Sequence, residues 1–204
     1  MKTFGIIVLM LFFIIPGISF AQRFHGGPLL GFNASQVDGD TYSGYNRFGL
    51  MGGTYVYTHL TDVLDIQMEI KYMSKGARKL TTEQDPTQYK SNLNYIEIPV
   101  LLRYNTKQKI GIEAGLGFGY LFSYSEEDEN GILPSRATTK FKPFELSSLI
   151  GMNYQFAKKF SVNLRYSYSI LSIVNRPTVN YTYFRHSGVF NNLFSLGLYY
   201  TLGK

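Results

Sequence analysis

Beyond residue 22, apolar and polar side chains alternate with a period of two over most of the chain, and helical spacing is nearly absent. Successive side chains of a strand point to opposite faces, so this pattern demands strands with one apolar and one polar face. Phe160, Val162, Leu164, Tyr166, Tyr168 and Ile170 share a face against Ser161, Asn163, Arg165, Ser167 and Ser169. Phe194, Leu196, Leu198, Tyr200 and Leu202 oppose Ser195, Gly197, Tyr199 and Thr201. Ile110, Ile112, Ala114, Leu116, Phe118, Tyr120 and Phe122 oppose Gly111, Glu113, Gly115, Gly117 and Gly119. Leu64, Ile66, Met68, Ile70 and Tyr72 oppose Asp65, Gln67, Glu69 and Lys71, and Ile96, Ile98, Val100, Leu102 and Tyr104 face away from Tyr95, Glu97 and Arg103.

Three less regular strands, about 26–35, 48–60 and 144–156, bring the number to eight; the second has two mixed faces, and its inward side stays open. The connections at 61–63, 105–109 and 157–159 are short, whereas those at 36–47, 80–92, 124–141 and 172–191 are long and polar. Strict alternation of short and long connections matches outer-membrane barrels, with short periplasmic turns and long extracellular loops. An even strand number returns both termini to the periplasmic side. The expected fold is all-β, an eight-stranded antiparallel up-and-down transmembrane β-barrel.

Alternation alone also fits a soluble barrel with its apolar face turned inward around a ligand. The polar face separates the two. A wet surface is rich in Lys, Glu and Asp, but here that face is mostly Gly, Ser, Asn and Tyr, which suits a crowded lumen. The apolar face runs almost free of charge for about nine to eleven residues per strand, enough to cross a bilayer. The chain has no Cys or Trp but 17 Tyr and 16 Phe. Tyr104, Tyr154, Phe156, Phe160 and Tyr200 cluster at the turn ends, and Tyr72, Tyr120, Phe122 and Phe144 at the loop ends, as two aromatic girdles would.

The start of the chain reads as an address. Lys2, the apolar run 4–15, the break at Pro16-Gly17 and Ser19-Phe20-Ala21 together predict a signal peptide over 1–21, leaving one barrel domain over 22–204. The apolar run is too short for a spanning helix. At the other end, residues 195–202 are similar to the C-terminal signal read by the barrel-assembly machinery, although the chain continues through Gly203-Lys204.

Four stretches resemble the PorT-like outer-membrane β-barrel proteins of Bacteroidetes: 31–35 (GFNAS), 69–77 (EIKYMSKGA), 94–104 (NYIEIPVLLRY) and 113–121 (EAGLGFGYL). The Tyr-Ile-Glu-Ile-Pro core is the most specific, and Met68 and Leu116 depart from the prolines expected in many relatives. The resemblance covers essentially the whole chain after 22. It implies the barrel and its membrane, and, through one founding member, a secretion-accessory role.

Glu69, Lys71, Glu97, Arg103, Glu113, Glu145 and Arg165 fall on polar faces. Eight strands leave an interior just wide enough for side chains to fill, so these charges are expected to pair and plug it. Arg78, Lys79, Lys140, Lys142, Arg176 and Arg185 lie at or above the outer rim, where they match lipopolysaccharide phosphates. Pro99 cannot donate to a ladder, so a bulge or local break is expected there. His25, His59 and His186 occur without a G-x-S-x-G nucleophile motif. No metal spacing or dinucleotide fingerprint occurs, so no catalytic, cofactor or metal residue is assigned. The acidic run 126–129 lacks EF-hand spacing and reads as a solvated loop.

The formal net charge of +6 is spread without a dense basic run, which argues against nucleic acid as a partner. The expected partners are outer-membrane lipid and lipopolysaccharide, the assembly machinery during insertion, and a secretion-system or envelope protein. The leading expectation is a non-enzymatic scaffold, with a soluble apolar-ligand barrel second and a lipid-modifying enzyme third.

Overall fold

Among the described residues ten strands follow one another: β1 (His25–Asp38), β2 (Arg47–His59), β3 (Leu64–Lys75), β4 (Arg78–Lys79), β5 (Tyr89–Asn105), β6 (Ile110–Asp128), β7 (Gly131–Ile132), β8 (Phe144–Ala157), β9 (Phe160–Ser169) and β10 (Phe190–Tyr200). The computed structural model describes residues 23–39, 44–81, 83, 85–134, 139–175 and 188–202. The expected signal peptide over 1–21 therefore lies outside the described residues.

Every pairing is antiparallel, in the order β5-β3-β2-β1-β10-β9-β8-β6, and the β5–β6 ladder closes the ring. Closure matters because hydrocarbon offers no partner to a free strand edge. The barrel thus has eight long strands, and β4 and β7 are two-residue additions on its outer side. The turns at 61–63, 106–109 and 158–159 are short, as expected.

The orientation also follows the expectation. Leu164 and Leu198 are 47% and 46% exposed, whereas Arg165 is 2% exposed. Apolar side chains therefore face lipid, and no apolar ligand cavity of a soluble barrel is lined by them. The girdle residues expected at both ends are exposed or half-exposed and touch across strands. Phe160 contacts Tyr200 at 5.0 Å at the turn end, and Tyr120 contacts Phe144 at 5.5 Å at the loop end. In β2, whose inward side the pattern left open, Arg47, Met51 and Tyr55 are buried while Phe48 and Leu50 face out.

Four features depart from the sequence reading. First, β5 and β6 are 17 and 19 residues long, well beyond the nine to eleven that cross a bilayer. Tyr89–Asn92 pair with Ser125–Asp128, so the loops expected at 80–92 and 124–141 are partly strand. With β4 and β7 they form an outer ribbon. Second, Glu126 of the acidic run is not solvated: it is buried and accepts hydrogen bonds from Tyr89 Oη and Thr139 N, both at 2.5 Å.

Third, Pro99 makes a local break without a bulge. The β3–β5 ladder skips from Met68↔Val100 to Lys71↔Glu97 in unchanged register, while the register shift falls between Asn94 and Tyr95. Fourth, the inner face is not wholly polar. Met51, Met73 and Leu193 cluster inside, and Val37, Ala77, Leu93, Tyr95, Leu121, Ile173 and Val174 form an apolar cap at the loop end.

The lipid-facing assignment predicts that Ile150→Arg, in the middle of β8, destabilises the barrel by about 2–4 kcal/mol in urea unfolding from lipid vesicles. An unchanged unfolding midpoint would contradict it.

Candidate functional site

Side chains that point inward from a narrow ring lose their water, so an inward charge needs an opposite charge within reach. Arg165 on β9 sits across from Gly151 of β8 and Ser195 of β10, and these small neighbours leave room for its guanidinium. It donates through Nη1 and Nη2 to the two carboxylate oxygens of Glu69, at 2.9 and 2.8 Å, spanning the barrel from β9 to β3. Its Nε donates to Glu113 at 2.8 Å. Such a two-pronged contact is strong and geometrically specific.

The contacts continue in both directions. Glu113 meets Arg103, its cross-strand neighbour, at 3.2 Å. Glu69 meets Lys71 at 3.0 Å, Lys71 lies 3.5 Å from Glu97, Glu97 accepts from Lys75 at 2.6 Å, and Lys75 reaches Glu145 at 3.2 Å. The result is one unbroken chain, Arg103–Glu113–Arg165–Glu69–Lys71–Glu97–Lys75–Glu145, in which cations and carboxylates alternate and cancel. All eight side chains are buried.

Neutral groups saturate the remaining positions. Tyr199 donates to Glu69 at 2.9 Å, Asn163 to Glu113 at 2.8 Å, and Ser169 and Asn191 to Glu145 at 2.6 and 3.1 Å. The Lys75 ammonium also lies 4.9 Å from the centroid of the Tyr95 ring.

Glycines make this density possible. Gly119 faces Glu97 on one side and Glu145 on the other. A Cβ there would stand 3.2 Å from Tyr95 and 3.5 Å from Glu145.

All seven residues expected in the lumen are brought together. Lys75 also lies inward, on the same parity as Glu69, Lys71 and Met73, beyond Tyr72 where the clear alternation of its strand ends. Extending the period-two count by three residues, past the apolar Met73, would have found it. Gln67, which accepts a hydrogen bond from Arg103, was likewise on the correct face without an assigned role.

The basic residues expected at the outer rim do not converge in the same way. Arg78 and Lys79 lie on the ribbon, where Arg78 pairs in register with Lys90. Lys79 is engaged by Asp85 and Thr87. The hydrogen bond from Lys79 holds the Asp85 carboxyl down to about 2, so that contact persists across ordinary pH. Lys140 is exposed and Lys142 half-buried, on either side of Phe141, whose ring meets Tyr124 at 5.3 Å. Arg176 and Arg185 lie outside the described residues, as does His186. His25 and His59 sit at the turn end with their rings 5.5 Å apart. Among the described residues no group of three or more His, Cys, Asp and Glu side chains is placed to hold a metal.

A family described as the outer membrane protein beta-barrel domain matches residues 20–175. No curated protein matches the chain. Among solved structures, the chain is similar to Ail, the attachment invasion locus protein of Yersinia pestis, at 13% identity and a TM-score of 0.52, covering 87% of this chain and 98% of that one. It is also similar to Neisserial surface protein A, at 12% identity and a TM-score of 0.52, covering 88% and 97%. At these identities the likeness extends to the fold alone.

The chain of charges predicts a strong asymmetry between removing a link and trimming the surface. Arg165→Met leaves Glu69 and Glu113 facing each other in the lumen and is expected to cost about 3–5 kcal/mol in unfolding from vesicles. Asp85→Asn, on the exposed loop, should leave the unfolding curve unchanged. Equal effects of the two would refute the arrangement.

Proposed function

This chain belongs to the outer membrane protein beta-barrel domain family, and on that premise we propose that it works as a non-enzymatic, non-conducting interaction scaffold in the outer membrane. The observation that carries this reading is the filled lumen. An alternating chain of eight buried charges crosses the interior, and an apolar cap that includes Ile173 and Val174 closes its loop end. A solute path would have to part ion pairs whose separated charges have no water to receive them, and that is costly.

With passage closed, the extracellular surface is the face on which this reading places partner binding. The ribbon built from β4, β7 and the outer ends of β5 and β6 gives that surface fixed structure above the bilayer. Loops carried on a rigid scaffold are a common place for binding residues. The resemblance to PorT-like proteins makes accessory participation in secretion the most specific form of this reading, with a secretion-system or envelope protein as partner.

Lipopolysaccharide is the second proposed partner. Arg78 and Lys140 are exposed at the outer rim, and Lys79, Lys142, Arg176 and Arg185 belong to the same basic set. Guanidinium and ammonium groups complement phosphate.

Two measurements test these claims. Purified protein in planar bilayers should give negligible conductance, and large stable channels would overturn the scaffold reading. Charge reversal at Arg78, Lys140 and Lys142 should weaken co-purification of lipopolysaccharide, and undiminished association would remove that partner.

A further inference from the structure

The plug does not reach the turn end. There the barrel holds a cavity of about 290 Å3, lined at depth by Arg103 and Tyr199 of the charged lumen and at its rim by residues of the turns 61–63 and 106–109. That volume is near the lower end of small-molecule sites. The cavity belongs neither to the filled lumen nor to the extracellular surface, and in an outer-membrane barrel it faces the periplasm.

One wall is aromatic, and most of the remaining lining is polar. Tyr55, Tyr57 and His59 line one side, with Tyr57 parallel to Tyr55 at 6.2 Å and edge-on to His59 at 5.6 Å. Opposite them in the sequence of strands, Asn153 of β8 also lines the cavity. It is buried, and its amide nitrogen has no hydrogen-bond acceptor among the described residues. A buried donor without a partner is costly, and a bound polar molecule would meet it.

The charges of the lining sort into committed and free. Asp65 is held by His59 Nδ1 at 2.5 Å and by Asn105 Nδ2 at 2.6 Å. Arg103 is committed to Glu113 and Gln67. What remains is Lys107 and Lys109 against Asp62. Among the described residues neither lysine has an acidic partner, so the uncommitted charge at the rim is positive.

Lys109 adds a second observation. Its φ is +64°, the left-handed region, and among the described residues it is the sole non-glycine there. The tight turn is closed by Thr106 N donating to Ile110 O at 2.8 Å and Lys109 N to Thr106 O at 3.3 Å. A glycine or asparagine would adopt this turn with less strain. A lysine held in strained backbone beside a cavity points to use of its side chain.

We propose that this periplasmic vestibule is a binding site for a small carboxylate-bearing sugar. The sugar ring packs on the Tyr55–Tyr57–His59 side, its hydroxyl and amide groups take up the hydrogen-bonding capacity of the polar lining, and its carboxylate meets Lys107 and Lys109. Aromatic rings present apolar faces while keeping polar edges, which suits a sugar better than a purely apolar ligand. The free ammonium groups select for the acid.

The test is calorimetric titration of the full folded protein in detergent micelles with three probes. N-acetylmuramic acid carries both ring and carboxylate, N-acetylglucosamine lacks the carboxylate, and lactate lacks the ring. The proposal expects saturable binding of N-acetylmuramic acid, at least about tenfold tighter than either other probe. Lys107→Glu with Lys109→Glu should abolish it while leaving the heat-modifiable gel shift of the folded barrel intact, because both lysines stand on an exposed turn. Tyr57→Leu should weaken it in the same folded background. Equal binding of lactate would reduce the site to a counter-ion effect and overturn the proposal. Equal binding of N-acetylglucosamine, absence of saturation, or binding that survives the double lysine reversal would overturn it as well.

Discussion

Charge in this protein has only one place to go inside the membrane. Hydrocarbon surrounds the ring, so no ion can face outward, and the ring is too narrow to keep its inward ions wet. Deep in the lumen each cation must therefore meet a carboxylate, and each carboxylate a cation, whereas Arg47 nearer the loop end is held by Asn92 and Ser74. The chain from Arg103 to Glu145 meets that condition with every inner member between two opposite charges. The consequence reaches the backbone. Gly119 and Gly151 lie beside the charged positions because a side chain there would occupy the volume that the long ones need.

The same arrangement makes strand register hard to slip. A one-residue shift of β9 would turn Arg165 toward lipid and bring Leu164 into the lumen, stranding Glu69 and Glu113 at once. Buried ion pairs are weak evidence for stability as such. Here the charges act more as a device that separates the native register from its neighbours by a large gap.

Much of this was legible in the sequence because the physical rule has a period of two and is enforced on both faces. Lipid rejects charge on one side, and lumen crowding favours small residues on the other. Each of Glu69, Lys71, Glu97, Arg103, Glu113, Glu145 and Arg165 could thus be assigned inward from parity alone. Lys75 was lost where Met73 and Tyr95 make the inner face apolar, since near the loop end the lumen is capped by greasy contacts instead of ion pairs. The outer ribbon was lost for a related reason. Above the bilayer no lipid enforces the alternation, so Tyr89–Asn92 and Ser125–Asp128 carry polar sequence and still pair as strands. In β2, Gly49, Gly52 and Gly53 dilute the pattern, and its inward side is decided by its partners in β1 and β3.

The two ends of the barrel solve opposite problems. At the loop end, Ile173 and Val174 return from the last long connection to seal the mouth, with Ile173 N donating to Val189 O at 2.8 Å and Lys142 N to Ile173 O at 2.7 Å. A long connection is needed for that, because only a chain with spare length can fold back over the opening. At the turn end the connections are too short to fold inward, so the lumen stays open there and its lining is limited to strand ends and turn side chains. A barrel with this alternation of connection lengths is therefore closed on the side with long loops and concave on the side with short ones. Loop surface and turn-end pocket thereby lie on opposite faces of the membrane, and both follow from connection length once the interior has been filled with paired charge.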